Sequence, residues 1–276
     1  MHTMSKIISF ILLLIATSCY GNGKLLATPG VSQIEGAAGG GLVPWAQLAG
    51  YASEDEVSIS GYCTQANVDD FELSTCGVQG NLYDRIELSY TAQRFDVLPL
   101  ATTLEQSIYG AKVKLYGDLV YSRYPQVSFG IQHKRLETAD IAFALGAKDD
   151  SATDFYLAAS KLYLGAVAGY NLLWNATVRH TRANEIGLLG FGGPQQKSHI
   201  QFEASAAILV NKHLAIGTEY RQKPDNLGLK EDDWHDVFVA WFPNKHISVT
   251  AAYINLGTIA GIEKQRGWYL SLTGYY

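Results

Sequence analysis

The side chains with chemistry to offer are charges set among apolar neighbours. Glu87, Lys112, Lys114, Lys134, Arg179, Glu203, Glu219, Arg221 and Asp236 fall on the polar side of segments whose alternate residues are apolar. In a strand, that alternation gathers the charges on one face. Ringed around a wet bore, they would sort solutes by sign and size. Paired across strands, with Glu87 beside Lys112 or Lys114 and with Arg179 and Arg221 flanking Glu203, they would be a structural ladder filling a narrow lumen. Both readings stay open. Hydrolysis is less well supported: His133, His180, His199, His213, His235 and His246 offer bases for a rim enzyme acting on lipid, but no Gly-x-Ser-x-Gly elbow accompanies them. No catalytic residue is assigned. The acidic clusters Asp149, Asp150, Asp154 and Asp225, Glu231, Asp232, Asp233, Asp236 carry oxygens of the kind calcium takes. Neither cluster has EF-hand or nonapeptide spacing, so solvated loops near divalent-bridged lipopolysaccharide are favoured, and no metal or cofactor is expected.

Lys6 precedes the apolar run Ile7–Ala16, and Thr17, Ser18 and Gly21 follow, as in a secretory signal peptide. Cleavage is expected after Gly21 or Ser18, leaving one exported domain over 22–276. The order Ala16-Thr17-Ser18-Cys19 also resembles a lipoprotein box, with Ala where Leu is usual. Cys63 and Cys76 would then meet an oxidising compartment. A hairpin centred between Asp69 and Asp70 sets them opposite one another, so a disulfide is expected. Further metal ligands and a C-x-x-C redox motif are lacking.

The elements that must position these groups follow from composition and period. Only 17% of the 276 residues are charged, against about 25% in ordinary soluble domains. With 21 basic and 26 acidic residues the net charge is −5, which excludes nucleic acid as a partner. After the first twenty residues no apolar run is long enough for a transmembrane helix. Period-two segments recur instead: Ile200, Phe202, Ala204 and Ala206 against Gln201, Glu203 and Ser205 is one of many. Strands are expected at 44–53, 57–66, 70–80, 84–95, 106–117, 126–134, 154–163, 169–181, 198–210, 213–222, 234–242, 246–254 and 267–276. Parity in bacterial barrels is even, and 31–38 would supply a fourteenth, with twelve as the alternative.

Long connections (96–106, 135–153, 182–197, 223–233, 255–266) alternate with short ones (81–83, 118–125, 164–168, 211–212, 243–245). That rhythm suits an outer-membrane barrel and not a Greek-key sandwich. Trp45, Trp174, Trp241, Trp268 and Tyr276 are candidates for aromatic girdles. The chain stops on Tyr276, like strands read by the barrel-assembly machinery. Loop residues Gly187, Leu188, Leu189, Gly190, Phe191, Gly192 and Gly193 would either constrict the mouth or pack on neighbouring loops.

The run Gly30-Val31-Ser32-Gln33-Ile34-Glu35-Gly36-Ala37-Ala38-Gly39-Gly40-Gly41-Leu42-Val43-Pro44-Trp45-Ala46 resembles the opening motif of the bacterial family catalogued as domain of unknown function 3034. Leu145–Asp150, Gly187–Gly193, Lys223–Leu227 and Arg266–Leu272 are similar to it too. The resemblance implies an outer-membrane barrel and brings no activity or catalytic residue. The expectation is a single-domain outer-membrane barrel in contact with lipid and lipopolysaccharide, acting as a passive channel or small-solute transporter. A structural or surface-binding barrel without an open pore is the alternative.

Overall fold

In the computed structural model the chain is all-β. Residues 23–194 and 198–276 are described, and the leader expected over 1–21 lies outside them. Two short strands come first, β1 (Val31–Ser32) and β2 (Ala38–Gly39), paired with each other. Twelve long strands follow: β3 (Val57–Val68), β4 (Phe71–Leu82), β5 (Ile86–Val97), β6 (Thr102–Tyr116), β7 (Gln126–Leu136), β8 (Ser151–Val167), β9 (Tyr170–Thr181), β10 (His199–Asn211), β11 (Leu214–Arg221), β12 (Trp234–Asn244), β13 (Ile247–Ile259) and β14 (Ile262–Tyr275). Each pairs antiparallel with its sequence neighbours, and β14 closes on β3.

The wall inverts the usual distribution of polarity. On β10, Ile200 and Phe202 are 67% and 58% exposed on the outside, while Gln201, Glu203 and Ser205 are buried inside. Val237, Val239 and Trp241 on β12 and Leu270 and Leu272 on β14 are also exposed on the outer face. Such a surface is stable where the outer solvent is hydrocarbon, and ring closure leaves no unpaired edge there.

The wall has twelve strands rather than fourteen. The segments 31–38 and 44–53 are not part of it, because every residue from Ala27 to Ala52 is buried and the segment lies inside the barrel. Both of its faces are covered, so no polar face alternates with an apolar one. The loop rhythm also changes in detail. The expected long connections 96–106 and 255–266 are mostly ladder, since β5–β6 pairing runs to Val97 opposite Thr102 and β13–β14 pairing to Ile259 opposite Ile262. The long connections that remain are 137–150, which carries helix α1 (Asp140–Ala144), 182–198 and 222–233. All three sit at one end, here the loop end. The start of β3 and the end of β14 lie at the other, the terminus end.

Cys63 and Cys76 are register partners in β3 and β4 and form a disulfide on the outer face. Trp241, Trp268 and Tyr276 are exposed outside the barrel and Trp174 is half-buried there. Trp45 is not a girdle residue. It is 4% exposed within the lumen, where its indole donates to Ser205 Oγ at 2.8 Å.

Candidate functional site

The lumen is occupied by the chain's own N-terminal segment, and the inner wall is built to hold it. The short β1–β2 pairing satisfies only part of this backbone, so its remaining polar groups need side-chain partners. The wall supplies them from many strands. Gln79 Nε2 donates to the Gly36 carbonyl at 2.9 Å, Thr75 Oγ1 and Gln93 Nε2 to that of Ile34 at 3.0 and 2.8 Å, and Gln132 Nε2 to that of Glu35 at 3.1 Å. Thr177 Oγ1 donates to the Pro44 carbonyl at 2.8 Å, and the Ala46 N–H donates to Ser160 Oγ at 2.9 Å.

Charge fixes the segment more tightly. Glu35, beside the Gly36 turn that joins β1 to β2, is fully buried and faces three cations: Lys134, Arg179 at 3.6 Å and Arg221 at 2.6 Å. Those cations also hold wall carboxylates, with Arg179 on Glu203 at 2.6 Å and on Asp154 at 3.3 Å, and Lys134 on Asp154 at 2.7 Å. A second clamp sits nearby. Lys112 pairs with Glu87 at 3.2 Å and donates to the carbonyls of Ala38, Trp45 and Gln47 at 2.9, 3.2 and 2.6 Å. Glu87 accepts from the N–H groups of Ala38 and Ala49 at 3.1 and 2.8 Å. Buried charges persist only when paired and hydrogen-bonded in this way.

A third contact carries no cation. Glu219 accepts from the Leu42 N–H at 2.7 Å, and its own backbone N–H donates to Asp236 Oδ1 at 2.9 Å. Neither carboxylate forms an ion pair among the described residues, and Asp236 Oδ2 has no hydrogen-bond partner there. The glycine run passes this wall at the closest approach. A Cβ on Gly40 would fall 1.9 Å from Glu219 Oε1, and one on Gly41 1.9 Å from the Tyr269 hydroxyl.

The residues after β9, 182–194, make a second closure at the loop end. Residues 183–193 are buried, and Ile186, Leu188 and Leu189 pack into the apolar core beneath. Asn184 ties the loop to itself through Leu189 and Gly192, and Phe191 pairs with Asp149 of the neighbouring connection. Lys223 donates to Glu185 at 2.6 Å and to Glu231 at 2.8 Å, joining this cap to connection 222–233. Glu185 and Ile186 have φ of +43° and +56°, a left-handed backbone that costs about 1–3 kcal/mol per residue and is worst for a β-branched side chain.

Glu87, Lys112, Lys134, Arg179, Glu203, Glu219, Arg221 and Asp236 thus all lie buried in the lumen, where each contacts the internal segment or another of the eight. Lys114 stands apart near the terminus end, where it and Lys24 share Asp84. Gly187, Leu188, Leu189, Gly190, Phe191, Gly192 and Gly193 are buried together in the cap and pack on the neighbouring connection through Phe191 and Asp149.

Asp154 is not a loop residue: it is fully buried on the inner wall. Glu35 and the Glu185–Lys223–Glu231 group were missed. Glu35 had a signal, as the single charge between Lys24 and Glu54.

The model of a family described as "Protein of unknown function (DUF3034)" matches residues 28–273, and so spans both the internal segment and the wall. No curated protein matches the sequence. Among solved structures, the chain is similar to the KdgM porin, at 10% identity and a TM-score of 0.51, covering 78% of this chain and 98% of that one. The NanC porin is similar at 8% identity and a TM-score of 0.50, covering 79% and 99%. At such identities the likeness shows the barrel fold.

Proposed function

The chain belongs to the DUF3034 family, and from that premise we propose that it is a self-plugged outer-membrane channel. Small solutes cross it when the N-terminal segment and the cap shift. The observation that carries this reading is the continuous burial of residues 27–52 inside a closed wall that meets the segment with polar and charged side chains. Twelve strands lie between small barrels that side chains alone can fill and porins of sixteen or more that stay open. The bore is therefore wide enough to need a filling, and that filling is a non-covalently held length of chain. In this reading the outer apolar belt contacts lipid, the loop end meets lipopolysaccharide, and Tyr276 is the mark used by the barrel-assembly machinery. By the usual asymmetry of such barrels, the terminus end faces the periplasm, so the plug is held from that side.

Planar-bilayer recording tests the proposal. The intact protein is expected to be closed at low voltage with rare openings. Glu35→Ala, which leaves three buried cations without their shared carboxylate, is expected to open it often. The density of wall-to-plug bonds favours a second reading, a permanently closed structural barrel. Silence from both the intact protein and a folded Glu35→Ala variant would establish that one instead.

A further inference from the structure

The lumen changes chemistry along its length. Its middle is charged, whereas toward the loop end the inner face carries Phe71, Leu73, Phe95, Trp234, Ile254 and Ile259, all buried. A hydrated ion or sugar would lose water there with little in return. The cap's Ile186 and Leu188 fill most of this layer, and a cavity of about 40 Å³ remains between them and the wall. Two polar atoms on residues that border the cavity have no hydrogen-bond partner among the described residues: the indole nitrogen of Trp234 and the hydroxyl of Tyr269. Those residues are 4% and 1% exposed. An indole N–H can only donate. The strained backbone at Glu185 and Ile186 marks the filling as a segment held in place by its surroundings.

We propose that this outer chamber binds a small, largely apolar molecule carrying one hydrogen-bond acceptor, and that Ile186 and Leu188 occupy its place in the closed state. The proposal rests on the channel reading for its sense, since it names the class of solute. Its test measures binding alone, so the two can fail separately. An acceptor oxygen on the solute would satisfy the Trp234 indole. The aliphatic or aromatic body would replace the two cap side chains against Phe71 and Ile254.

The experiment uses the full chain in lipid nanodiscs, with naphthol, naphthalene and sucrose as probes and empty nanodiscs subtracted. Naphthol is expected to bind saturably and to shift the Trp234 indole N–H resonance. Naphthalene, without the oxygen, should bind about fivefold more weakly, the worth of one hydrogen bond, and sucrose should not bind. Trp234→Phe should bring naphthol down to the affinity of naphthalene. Ala66→Trp, which points a large side chain into the chamber from β3, should abolish binding. Leu188→Ala, which vacates part of the chamber, should tighten it. Naphthol uptake that never saturates, or that survives unchanged in a folded Ala66→Trp barrel, would overturn the site. Looser binding by Leu188→Ala would also count against it. A barrel that binds naphthol yet never conducts overturns the channel and keeps the chamber, and a conducting barrel blind to naphthol does the reverse.

Discussion

The bore is closed twice, and the two closures differ in kind. In the middle, Glu35 meets Lys134, Arg179 and Arg221 with directional, charge-assisted bonds that specify a single position. At the loop end, Ile186, Leu188 and Leu189 rest on apolar side chains that accept many arrangements, over a backbone in an unfavourable conformation. The first arrangement gives register, and the second gives a lid of low intrinsic preference. A barrel that only had to be shut would need one of them. Having both places a firm lock beneath a loose cover.

The strongest way to break the comparison is at the lock. Glu35→Ala should cost about 3–5 kcal/mol, because it strands buried cations whose other partners were balanced with it. The guanidinium midpoint of the barrel folded in vesicles checks this. A loss no larger than that of a cap variant such as Leu189→Ala would erase the distinction drawn between the closures. Next comes Gly40→Ala, expected to cost about 1–3 kcal/mol by overpacking. Its Cβ would collide with Glu219, so the same midpoint should fall and openings should become more frequent.

What could be read in advance follows from this division. Wall strands such as β10 show their period because one face is apolar and exposed outside the cylinder while the other meets polar partners inside. The plug shows none, since Val31, Ile34, Leu42 and Trp45 are surrounded on all sides. A run of glycine and apolar residues buried all round looks like a weak strand, so 31–38 and 44–53 read as wall strands although they lie inside the wall. Its hydrogen bonds are made with Thr75, Gln79, Gln93, Gln132, Ser160 and Thr177, on five different strands, and no local pattern joins them. The expected pairs Glu87 with Lys112 and Arg179 with Glu203 do form, because their strands are sequence neighbours. Their common purpose was hidden, as it depends on a residue far upstream.

The cover can be sharpened by pH. Burial pushes the Glu231 carboxyl up to about 9, and its neighbour Glu185 adds to the shift. A carboxyl raised on closure holds its proton more tightly in the closed cap than in a free loop. Closure is therefore favoured most below the ordinary carboxylate range and weakens as pH rises through about 9. Burial works against the Lys223 charge, but Glu185 and then Glu231 raise it above the ordinary lysine value, so the lysine stays charged across that window. Amide exchange over residues 183–193, corrected for intrinsic rates, should quicken between about pH 6.5 and about pH 9.5, up to tenfold for each unit of pH. Glu231→Gln should flatten the dependence, and an unchanged profile would remove this group from the latch.

The smallest effect is expected at Asp236→Asn. Among the described residues this wall acid pairs with no cation, and the amide oxygen can still accept from the Glu219 N–H. Exchanging the second acid beside Glu219 for an amide should leave the unfolding midpoint unchanged or slightly higher. A fall comparable to that of Glu35→Ala would mean that all lumen charges act alike, and would dissolve the comparison from the other side.

The seam between β14 and β3 has a consequence for how the molecule is made. Residues 24–52 precede the first wall strand, so they are delivered before the cylinder can be sealed by the last. Once sealed, an empty cylinder would leave its amides, hydroxyls and ionised groups to water alone. Filling as the wall closes is therefore the easier order, and a hollow precursor is expected to be short-lived.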